Sequence, residues 1–337
     1  MRLLSALLIG VSQLVAAGCA ASAPGAQPAL SPTPVLGAAR TPRQAGIVEP
    51  RAAIGAFPRT VRDQNGTVVI AAKPRRIHTL SVGYDEITFQ LVDLPRIVAV
   101  GNVTANPEYS NVAAEAALVP ARVGRDAEQI LALGPDLVVA SPFASPDLLK
   151  QLREARVPLV VADLVSSVDA QAENIRFLAY LYGEEARGEE LVRQTTERMA
   201  RLRAISDQHP RERKPKVAVL FGGQTISIAG SGTTEDGVIE LAGARNAAAE
   251  AGITGNRDIS LEALPELQPD FVVVTEGNPE RPTLLPRLRD HPVVTTLPAF
   301  RENRLLVVKY SLLTTLSQWN VAGAEQLNRA LYPGELP

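Results

Sequence analysis

The sequence predicts an α/β protein of two related lobes with parallel sheets, joined by a single long helix. The first observation is a stretch that occurs twice without a gap, AEQILALGPDLVVAS at residues 127–141 and LEALPELQPDFVVVT at residues 261–275. Each copy has the pattern of a short helix, a Pro-Asp break and an apolar strand. The second observation is the alternation of strand and helix patterns along the chain, which favours a parallel sheet covered on both faces.

The third observation is a segment at residues 167–206 with almost no proline and with apolar residues at helical spacing. It predicts two helices, the second running from about Glu184 to Ile205. At 1.5 Å per residue this helix is about 33 Å long, enough to run along a whole domain. We therefore expect a rigid helix to join the lobes.

Length and composition agree with two globular lobes. The chain has 337 residues, 46% of them hydrophobic, which is enough for two cores of ordinary size. Its 34 basic and 36 acidic residues are nearly balanced, and no basic stripe is interleaved with aromatic residues. Nucleic acid is therefore excluded as an expected partner.

The amino terminus predicts export. Residues 1–18 have the pattern of a lipoprotein signal peptide: a basic Arg2, an apolar run and small residues before Cys19. The apolar run is shorter than the roughly 20 residues of a transmembrane helix. Cys19 is the only cysteine in the chain and is the expected lipidation site. A plain secretory signal cleaved elsewhere is the alternative, so we expect the protein at the outer face of the cytoplasmic membrane or in the periplasm.

The remaining chain divides by composition. Residues 19–56 are rich in alanine and proline and predict a flexible tether. Two β-rich runs around Asn65-Gly66 then predict a hairpin, with which the folded part begins. We expect an N-terminal α/β lobe at residues 57–166, the helical segment at 167–206 and a C-terminal α/β lobe at 207–337.

Strands and helices are predicted at regular intervals in both lobes. The strands outside the repeat are Ile77–Leu80, Ile97–Val100, Leu159–Ala162, Val217–Phe221 and Leu305–Val308. Four more helices are predicted outside the repeat and outside the connecting segment. One begins near Asp85, and the others cover Pro146–Ala155, Leu284–Arg289 and about Thr315 to Leu331.

The order of several short motifs resembles a known family. KPRRIHTLS, GRDAEQILALGPDLVVAS, ELAGARNAA and ISLEALPELQPDFVVV follow one another as in the Fe/B12 type of ABC-transporter substrate-binding protein. The resemblance covers about Phe57 to Tyr332. It implies two Rossmann-like lobes joined by one long helix, little hinge motion, and a monomer without cofactor that carries a small-molecule metal chelate to an ABC permease dimer.

Glu128 and Glu262 occupy the same position in the two repeat copies, with Asp126 and Ser260 as plausible N-caps. A carboxylate in the first turn of a helix complements the helix dipole by about 0.3–1 kcal/mol, which is a purely structural role. The resemblance implies a second role, in which one glutamate on each lobe meets arginines of the two permease subunits. We therefore predict transporter docking through this pair.

Six residues are candidates for ligand binding. Open α/β sheets bind ligands at the carboxyl ends of their strands, where several of these residues fall. Tyrosines offer apolar rings with a polar tip, and arginines suit anionic chelates. The alternatives are a packed tyrosine under the first helix and ordinary loop or surface residues. The candidates are Tyr84, Tyr109, Arg125, Gln224, Arg257 and Tyr310.

Four classes of cargo fit this type of protein: a ferric siderophore, a corrinoid such as cobalamin, haem and a bare metal ion. Bare zinc or manganese is disfavoured because the chain has only 3 histidines, widely separated in sequence. The haem-binding branch carries a tyrosine in a VGY stretch, where this chain has Val123-Gly124-Arg125. The arginines favour a ferric siderophore first, then a corrinoid, then haem.

Two other classes of function are weaker. The sequence has no paired catalytic carboxylates in a loop, no Ser/His/Asp order, no phosphate loop and no glycine fingerprint after the first strand, so we expect no enzyme. A ligand sensor that is not coupled to transport is the other alternative. The repeated glutamates distinguish a sensor from a transport protein, because a sensor needs no docking pair.

Overall fold

The computed structural model describes residues 45–163, 167–222, 225–276 and 284–336. The predicted signal peptide, Cys19 and most of the predicted tether lie outside the described residues. The described chain already forms a strand, β1 (Gly46–Ile47), within the range expected for the tether. Ordered structure therefore begins before residue 56.

The predicted hairpin is confirmed. Strands β2 (Arg59–Asp63) and β3 (Gly66–Ile70) pair antiparallel around Asn65-Gly66, and β1 adds to β2 to give a three-stranded sheet. The Asp63 carboxylate accepts a 2.8 Å hydrogen bond from the Val161 N–H. This bond attaches the small sheet to the edge of the first lobe.

The first lobe is a five-stranded parallel sheet with the strand order β6-β5-β4-β7-β8. Its strands are short runs of mostly buried apolar residues, as expected for a sheet covered on both faces. They are β4 (Ile77–Thr79), β5 (Ile97–Gly101), β6 (Arg122–Val123), β7 (Leu137–Ala140) and β8 (Leu159–Val161). Its helices are α1 (Val82–Leu91), α2 (Ala113–Ala116), α3 (Ala127–Ala132) and α4 (Pro146–Glu154).

Two helices connect the lobes, α5 (Gln171–Tyr182) and α6 (Glu185–Asp207). The 23 residues of α6 correspond to about 35 Å, which confirms the predicted long helix. An ion pair of 2.8 Å joins Arg187 of α6 to Asp93 in the first lobe. Near the other end, Arg198 makes two 2.8 Å hydrogen bonds to Glu325 in the last helix of the second lobe. Helix α6 is thus fixed to both lobes.

The second lobe contains a six-stranded mixed sheet with the order β12-β10-β9-β13-β14, and β11 also pairs with β9. Strand β10 is antiparallel to both β9 and β12, which the sequence did not predict. The strands are β9 (Lys216–Phe221), β10 (Ser227–Ala229), β11 (Arg245–Asn246), β12 (Asn256–Asp258), β13 (Phe271–Glu276) and β14 (Leu305–Lys309). The helices are α7 (Thr234–Leu241), α8 (Ala247–Glu250), α9 (Leu285–Arg289), α10 (Pro298–Arg301), α11 (Tyr310–Leu313) and α12 (Trp319–Leu331).

The described parts of the chain contain no helix that has both the length and the apolar character needed to cross a bilayer.

The two repeat copies adopt similar but unequal structures. The first is α3 followed by β7, and the second is a 3₁₀ helix, Leu261–Leu267, followed by β13. Pro265 lies inside the second helix and has no N–H to donate, and the more tightly wound 3₁₀ form replaces the α-helix there. In both copies the next turn has a residue with positive φ, Gly134 at +56° and Gln268 at +48°.

The aspartates of the two Pro-Asp breaks have the same structural role. The Asp136 carboxylate accepts 2.8 Å hydrogen bonds from the N–H groups of Arg75 and Arg76, directly before β4. The Asp270 carboxylate accepts a 2.7 Å bond from the N–H of Lys216, which begins β9. Each aspartate therefore fixes the start of a central strand to its neighbouring strand.

Candidate functional site

The carboxyl ends of the parallel strands carry the first candidate residues. Gly101 at the end of β5 is paired with Val123 at the end of β6. The loop at residues 102–112, which we call the cleft loop, therefore begins beside the turn that carries Arg125. Arg125 is exposed there. Open α/β sheets bind ligands in the crevice outside such strand ends.

Two of the predicted ligand-binding residues meet across the lobes. Tyr109 lies in the cleft loop of the first lobe, and Tyr310 opens α11 directly after β14 of the second lobe. Their rings are edge to face, with centroids 5.8 Å apart and an interplanar angle of 89°. Phe221, at the end of β9, packs against Tyr310 with a centroid separation of 6.4 Å. These three rings form what we call the aromatic cluster.

The three rings of the aromatic cluster are not equally buried. Phe221 is buried, whereas Tyr109 and Tyr310 are both only partly buried. Aromatic rings in this edge-to-face arrangement prefer centroid separations of about 4.5–7 Å. The cluster therefore presents two tyrosine side chains, one from each lobe, at a surface between the lobes.

Polar contacts connect the same segments next to the aromatic cluster. We call residues 309–318 the bridging segment. The Lys309 ammonium donates a 3.3 Å bond to the Ser110 carbonyl. The Asn111 amide donates a 2.9 Å bond to the Ser311 carbonyl and accepts a 2.8 Å bond from the Ser311 hydroxyl. The cleft loop and the bridging segment therefore form one continuous contact between the lobes.

A buried carboxylate supports the base of the cleft loop. Asp85 in α1 accepts hydrogen bonds from the hydroxyls of Thr79 and Thr104, the second of which lies in the cleft loop. Burial raises the pKa of Asp85 to about 7, against the lowering effect of the two hydroxyls. Asp85 therefore binds a proton more tightly than an ordinary aspartate does. Its bond to Thr104 also orders the loop that leads to Tyr109.

Tyr84 lies elsewhere. Only 1% of its surface is exposed, and its hydroxyl donates to the Ala162 carbonyl within the first-lobe core. Next to it, a Cβ added at Gly83 would lie 3.3 Å from the Leu316 side chain, so the bridging segment covers the start of α1. Tyr84 thus has the packed position that the sequence left open as an alternative, and we do not include it among the proposed ligand contacts.

The remaining predicted ligand residues are Arg257, Gln224 and Arg125. Arg257 is exposed on the edge strand β12, where it is paired with Ile228 of β10. Gln224 lies outside the described residues. Arg125 is the predicted arginine that follows a parallel strand end beside the cleft loop.

Exposed apolar residues near the strand ends were not among the sequence-based candidates. Phe143 follows β7 and is 89% exposed, and Val103 follows β5 and is 49% exposed. A large apolar side chain with this exposure in a loop at the carboxyl edge of a sheet suggests a surface that a ligand covers. The sequence could have indicated Phe143 as a candidate, because this residue directly follows an apolar strand and the break Ser141-Pro142.

The two repeated glutamates are both exposed in the first turn of their helices. The expected N-caps are confirmed in position, and the Asp126 carboxylate accepts a 3.0 Å bond from the Gln129 N–H. Glu262 has a further partner, His291, whose Nε2 lies 3.2 Å from its carboxylate. Its own backbone N–H, the Ser260 hydroxyl and His291 lower the pKa of Glu262. A cavity of about 600 Å³ lies beside Glu262 and is also lined by Asp258 and Asp290.

The described residues contain no group of three His, Cys, Asp or Glu side chains that could hold a metal ion. His78 is buried in β4, where burial lowers its pKa, and its Nδ1 lies 3.0 Å from the Ala99 carbonyl. His209 stacks on Tyr332, with ring centroids 4.3 Å apart.

Comparison with known proteins decides the family. The model of the family described as periplasmic binding protein matches residues 77–311, more than half of the chain. The chain belongs to the periplasmic binding protein family. The binding protein is 26% identical over 282 residues to the uncharacterized ABC transporter substrate-binding lipoprotein YvrC of Bacillus subtilis, a match that covers 82% of this chain and 86% of YvrC.

Two further relatives carry more specific names. A cobalamin-binding protein of Halobacterium salinarum is 27% identical over 220 residues, which cover 64% of this chain and 58% of that protein. The solved structure of the periplasmic haem-binding protein RhuT from Roseiflexus sp. RS-1 superposes with a TM-score of 0.66 at 29% identity, covering 77% of this chain and 99% of RhuT. Since the relatives are solute-binding proteins, this chain is a solute-binding protein of the ABC-transporter class and not an enzyme.

Proposed function

We propose that this binding protein captures a metal tetrapyrrole, haem or a corrinoid, between its lobes and delivers it to an ABC importer. The observation that carries the proposal is the aromatic cluster, in which Tyr109 and Tyr310 from opposite lobes lie 5.8 Å apart. Flat, largely apolar rings suit aromatic and apolar walls, because their burial removes a large apolar area from water. Exposed Phe143 and Val103 at the same edge of the first lobe support this chemistry.

This ranking of cargo differs from the sequence-based expectation, which placed a ferric siderophore first. That expectation depended on two arginines at the rim of the cleft. Arg257 lies on an edge strand of the second lobe, and Arg125 alone follows a parallel strand beside the cleft loop. Two of the relatives, a cobalamin-binding protein and a haem-binding protein, also support a tetrapyrrole. A ferric siderophore is the second candidate, favoured by the exposed Arg125 guanidinium, which suits anionic chelates.

Tyr109 is the proposed protein ligand if the cargo is haem. The chain has Arg125 where the haem-binding branch of the family carries a tyrosine, and Tyr84 is occupied in the core. Tyr109 is partly exposed in the loop beside the Arg125 turn. A phenolate oxygen is an established axial ligand for haem iron, so a tyrosine from the neighbouring loop would replace the missing one.

Delivery is proposed to use Glu128 and Glu262. Both carboxylates are exposed, one on each lobe, and each lies in the first turn of a helix after the N-cap. Exposed charges set the rate and register of an encounter more than its affinity. We further propose that Cys19 carries a lipid anchor and that the chain acts as a monomer at the outer face of the cytoplasmic membrane.

The test is a titration of the purified protein with haemin, cyanocobalamin and a panel of ferric siderophores. Quenching of intrinsic fluorescence reports binding, and the thermal shift confirms that the ligand stabilises the folded state. We expect one tetrapyrrole to bind saturably at one per chain. Binding of a ferric siderophore alone would favour the second candidate, and binding of no chelate would contradict the proposed function.

A further inference from the structure

Glu86 in α1 is a buried carboxylate that contacts both lobes. Its Oε1 accepts 2.8 Å hydrogen bonds from both the backbone N–H and the side-chain amide of Asn111. Its Oε2 accepts hydrogen bonds from the hydroxyls of Thr315 and Ser317. Asn111 belongs to the cleft loop of the first lobe, whereas Thr315 and Ser317 belong to the bridging segment of the second.

These four bonds satisfy a group that is costly to bury. None of the Glu86 surface is exposed, and no Lys or Arg is among the hydrogen-bond partners described for its side chain. A carboxylate has about four acceptor positions, and here four donors occupy them. A buried polar group is tolerated when its network is fully satisfied, and such a network rigidifies the segments that supply the donors.

The donors lie next to the proposed ligand-binding tyrosines. Asn111 is two residues after Tyr109, and it exchanges two hydrogen bonds with Ser311, the residue after Tyr310. Fixing Asn111 and the bridging segment on one carboxylate therefore fixes the two backbones from which the tyrosine rings project.

We propose that Glu86 is a positioning residue for ligand capture, holding Tyr109 and Tyr310 in their edge-to-face arrangement before a ligand arrives. This inference rests on the proposed function, in which the two tyrosines contact the cargo. Preorganised contacts improve affinity because their ordering cost is met during folding and not during binding. A residue that only filled the core would change stability and leave the affinity of the folded protein unaltered.

The test uses substitutions at Glu86 and at its main partner. Glu86→Gln keeps the volume and one acceptor for Asn111. Its amide nitrogen would face the Thr315 and Ser317 hydroxyls, which would then have to accept a hydrogen bond instead of donating one. Asn111→Ala removes the side-chain donor to Glu86 and the exchange with Ser311, while the backbone N–H to Glu86 remains. It keeps the inference testable if Glu86→Ala does not fold. Asn328→Ala is the matched control, since its buried amide donates a 3.1 Å bond to the Ala242 carbonyl within the second lobe.

The first readout is the Kd for haemin and cyanocobalamin, measured where circular dichroism shows each variant to be folded. We expect Asn111→Ala and Glu86→Ala to raise the Kd of the tetrapyrrole that binds the wild type by about tenfold, a loss typical of an interface contact that matters. Glu86→Gln should give an intermediate value, and Asn328→Ala should stay within about twofold because its bond to Ala242 lies within the second lobe and does not involve the Glu86 network. Wild-type Kd values for Asn111→Ala and Glu86→Gln, with Tyr109→Ala weakened, would overturn the inference.

The second readout needs no ligand, so it separates failure of the inference from failure of the proposed function. A double-mutant cycle of Tyr109→Ala and Tyr310→Ala on the unfolding equilibrium measures the contact between the rings. We expect a coupling of about fivefold in the wild type, in the range known for aromatic pairs, and its loss in the Asn111→Ala background. A coupling that persists in that background would overturn the inference, whatever the ligand results. If the wild type binds none of the chelates, the proposed function fails, and the positioning role in capture fails with it.

Discussion

Tyr109 of the first lobe and Tyr310 of the second lobe lie edge to face, with ring centroids 5.8 Å apart. They are the two sequence-predicted ligand residues that the fold brings into contact. Next to them, the hydrogen-bonded residues Asn111 and Ser311 are 200 positions apart in the chain. The contact joins the carboxyl end of β14 to the cleft loop after β5. It places two phenol groups from different lobes at one surface.

Removing one phenol hydroxyl is expected to change the spectrum of bound haem. We predict that Tyr109→Phe keeps the ring packing but alters the visible absorption of the haemin complex, because the proposed iron ligand is lost. Tyr310→Phe is the control and should leave the spectrum unchanged. Equal spectra for Tyr109→Phe and the wild type would remove Tyr109 from the role of iron ligand.

Substitution of the docking pair should separate transport from capture. In Glu128→Ala/Glu262→Ala we expect uptake of the cargo through the intact transporter to fall by about tenfold, while the Kd of the purified protein stays unaltered, because the charges act on the encounter with the permease. The matched control is Glu115→Ala/Glu266→Ala, which removes one exposed carboxylate from each lobe. Unchanged uptake in the first variant would support a sensor that is not coupled to transport.

The unequal turns of the repeat predict a stabilising substitution. Gln268 has a φ of +48°, a left-handed conformation that costs a residue with a side chain roughly 1–2 kcal/mol. Gln268→Gly should therefore raise the free energy of unfolding by about 1 kcal/mol. This net value allows for the greater conformational freedom that glycine gives the unfolded chain, which lowers stability. The converse Gly134→Ala should lower it by a similar amount, although the added Cβ would meet no atom closer than 3.8 Å. Urea denaturation measures both, and a destabilised Gln268→Gly would show that its side chain makes a compensating contact.

Asp85 predicts a falling stability as the pH rises. Burial raises its pKa from 3.8 to about 7, so between these values the folded state holds a proton that the unfolded state has released. The contribution is fully present below the unfolded pKa and is lost as pH rises through the folded pKa, at up to about 1.4 kcal/mol per pH unit. Burial also raises the pKa of Glu86, so its contribution has the same sign.

Asp85→Asn isolates the contribution of Asp85. The amide has the same shape and carries no charge, so we expect the variant to be more stable than the wild type at pH 8 and nearly equal to it at pH 4. Urea denaturation at a series of pH values measures the difference, with Asp147→Asn at an exposed position as the control. Parallel stability curves for Asp85→Asn and the wild type would contradict the prediction.

The features that sequence could predict are those with a local pattern. The hairpin at Asn65-Gly66, the long helix α6 and both repeat units follow from turn residues and hydrophobic periodicity, and each is present. Strands β10 and β12 have only 3 residues each, too few for a period of two to be recognised. Helix α12 begins at Trp319, later than the expected Thr315, because residues 315 to 318 belong to the bridging segment.

The candidate site was only partly predictable, because its contacts are not local. Glu86 and Thr315 are 229 residues apart, and no pattern in the chain relates them. Tyr84 follows the first strand as a ligand residue would, but only the packing of α1 decides that its ring points into the core. Tyr310 was a candidate because it follows the carboxyl end of a strand, and Tyr109 because its loop matches a cleft loop of the family that the sequence resembles.

Calorimetric titration of the wild type and of Tyr109→Ala/Tyr310→Ala, with haemin and cyanocobalamin, is the most direct measurement of the central claim. We expect the wild type to bind one of the two at one ligand per chain with a Kd of about 1 μM or lower. The double variant should remain folded and bind at least about a hundredfold more weakly, because both lobes lose their aromatic contact. Wild-type affinity in the double variant would contradict capture of the cargo between Tyr109 and Tyr310.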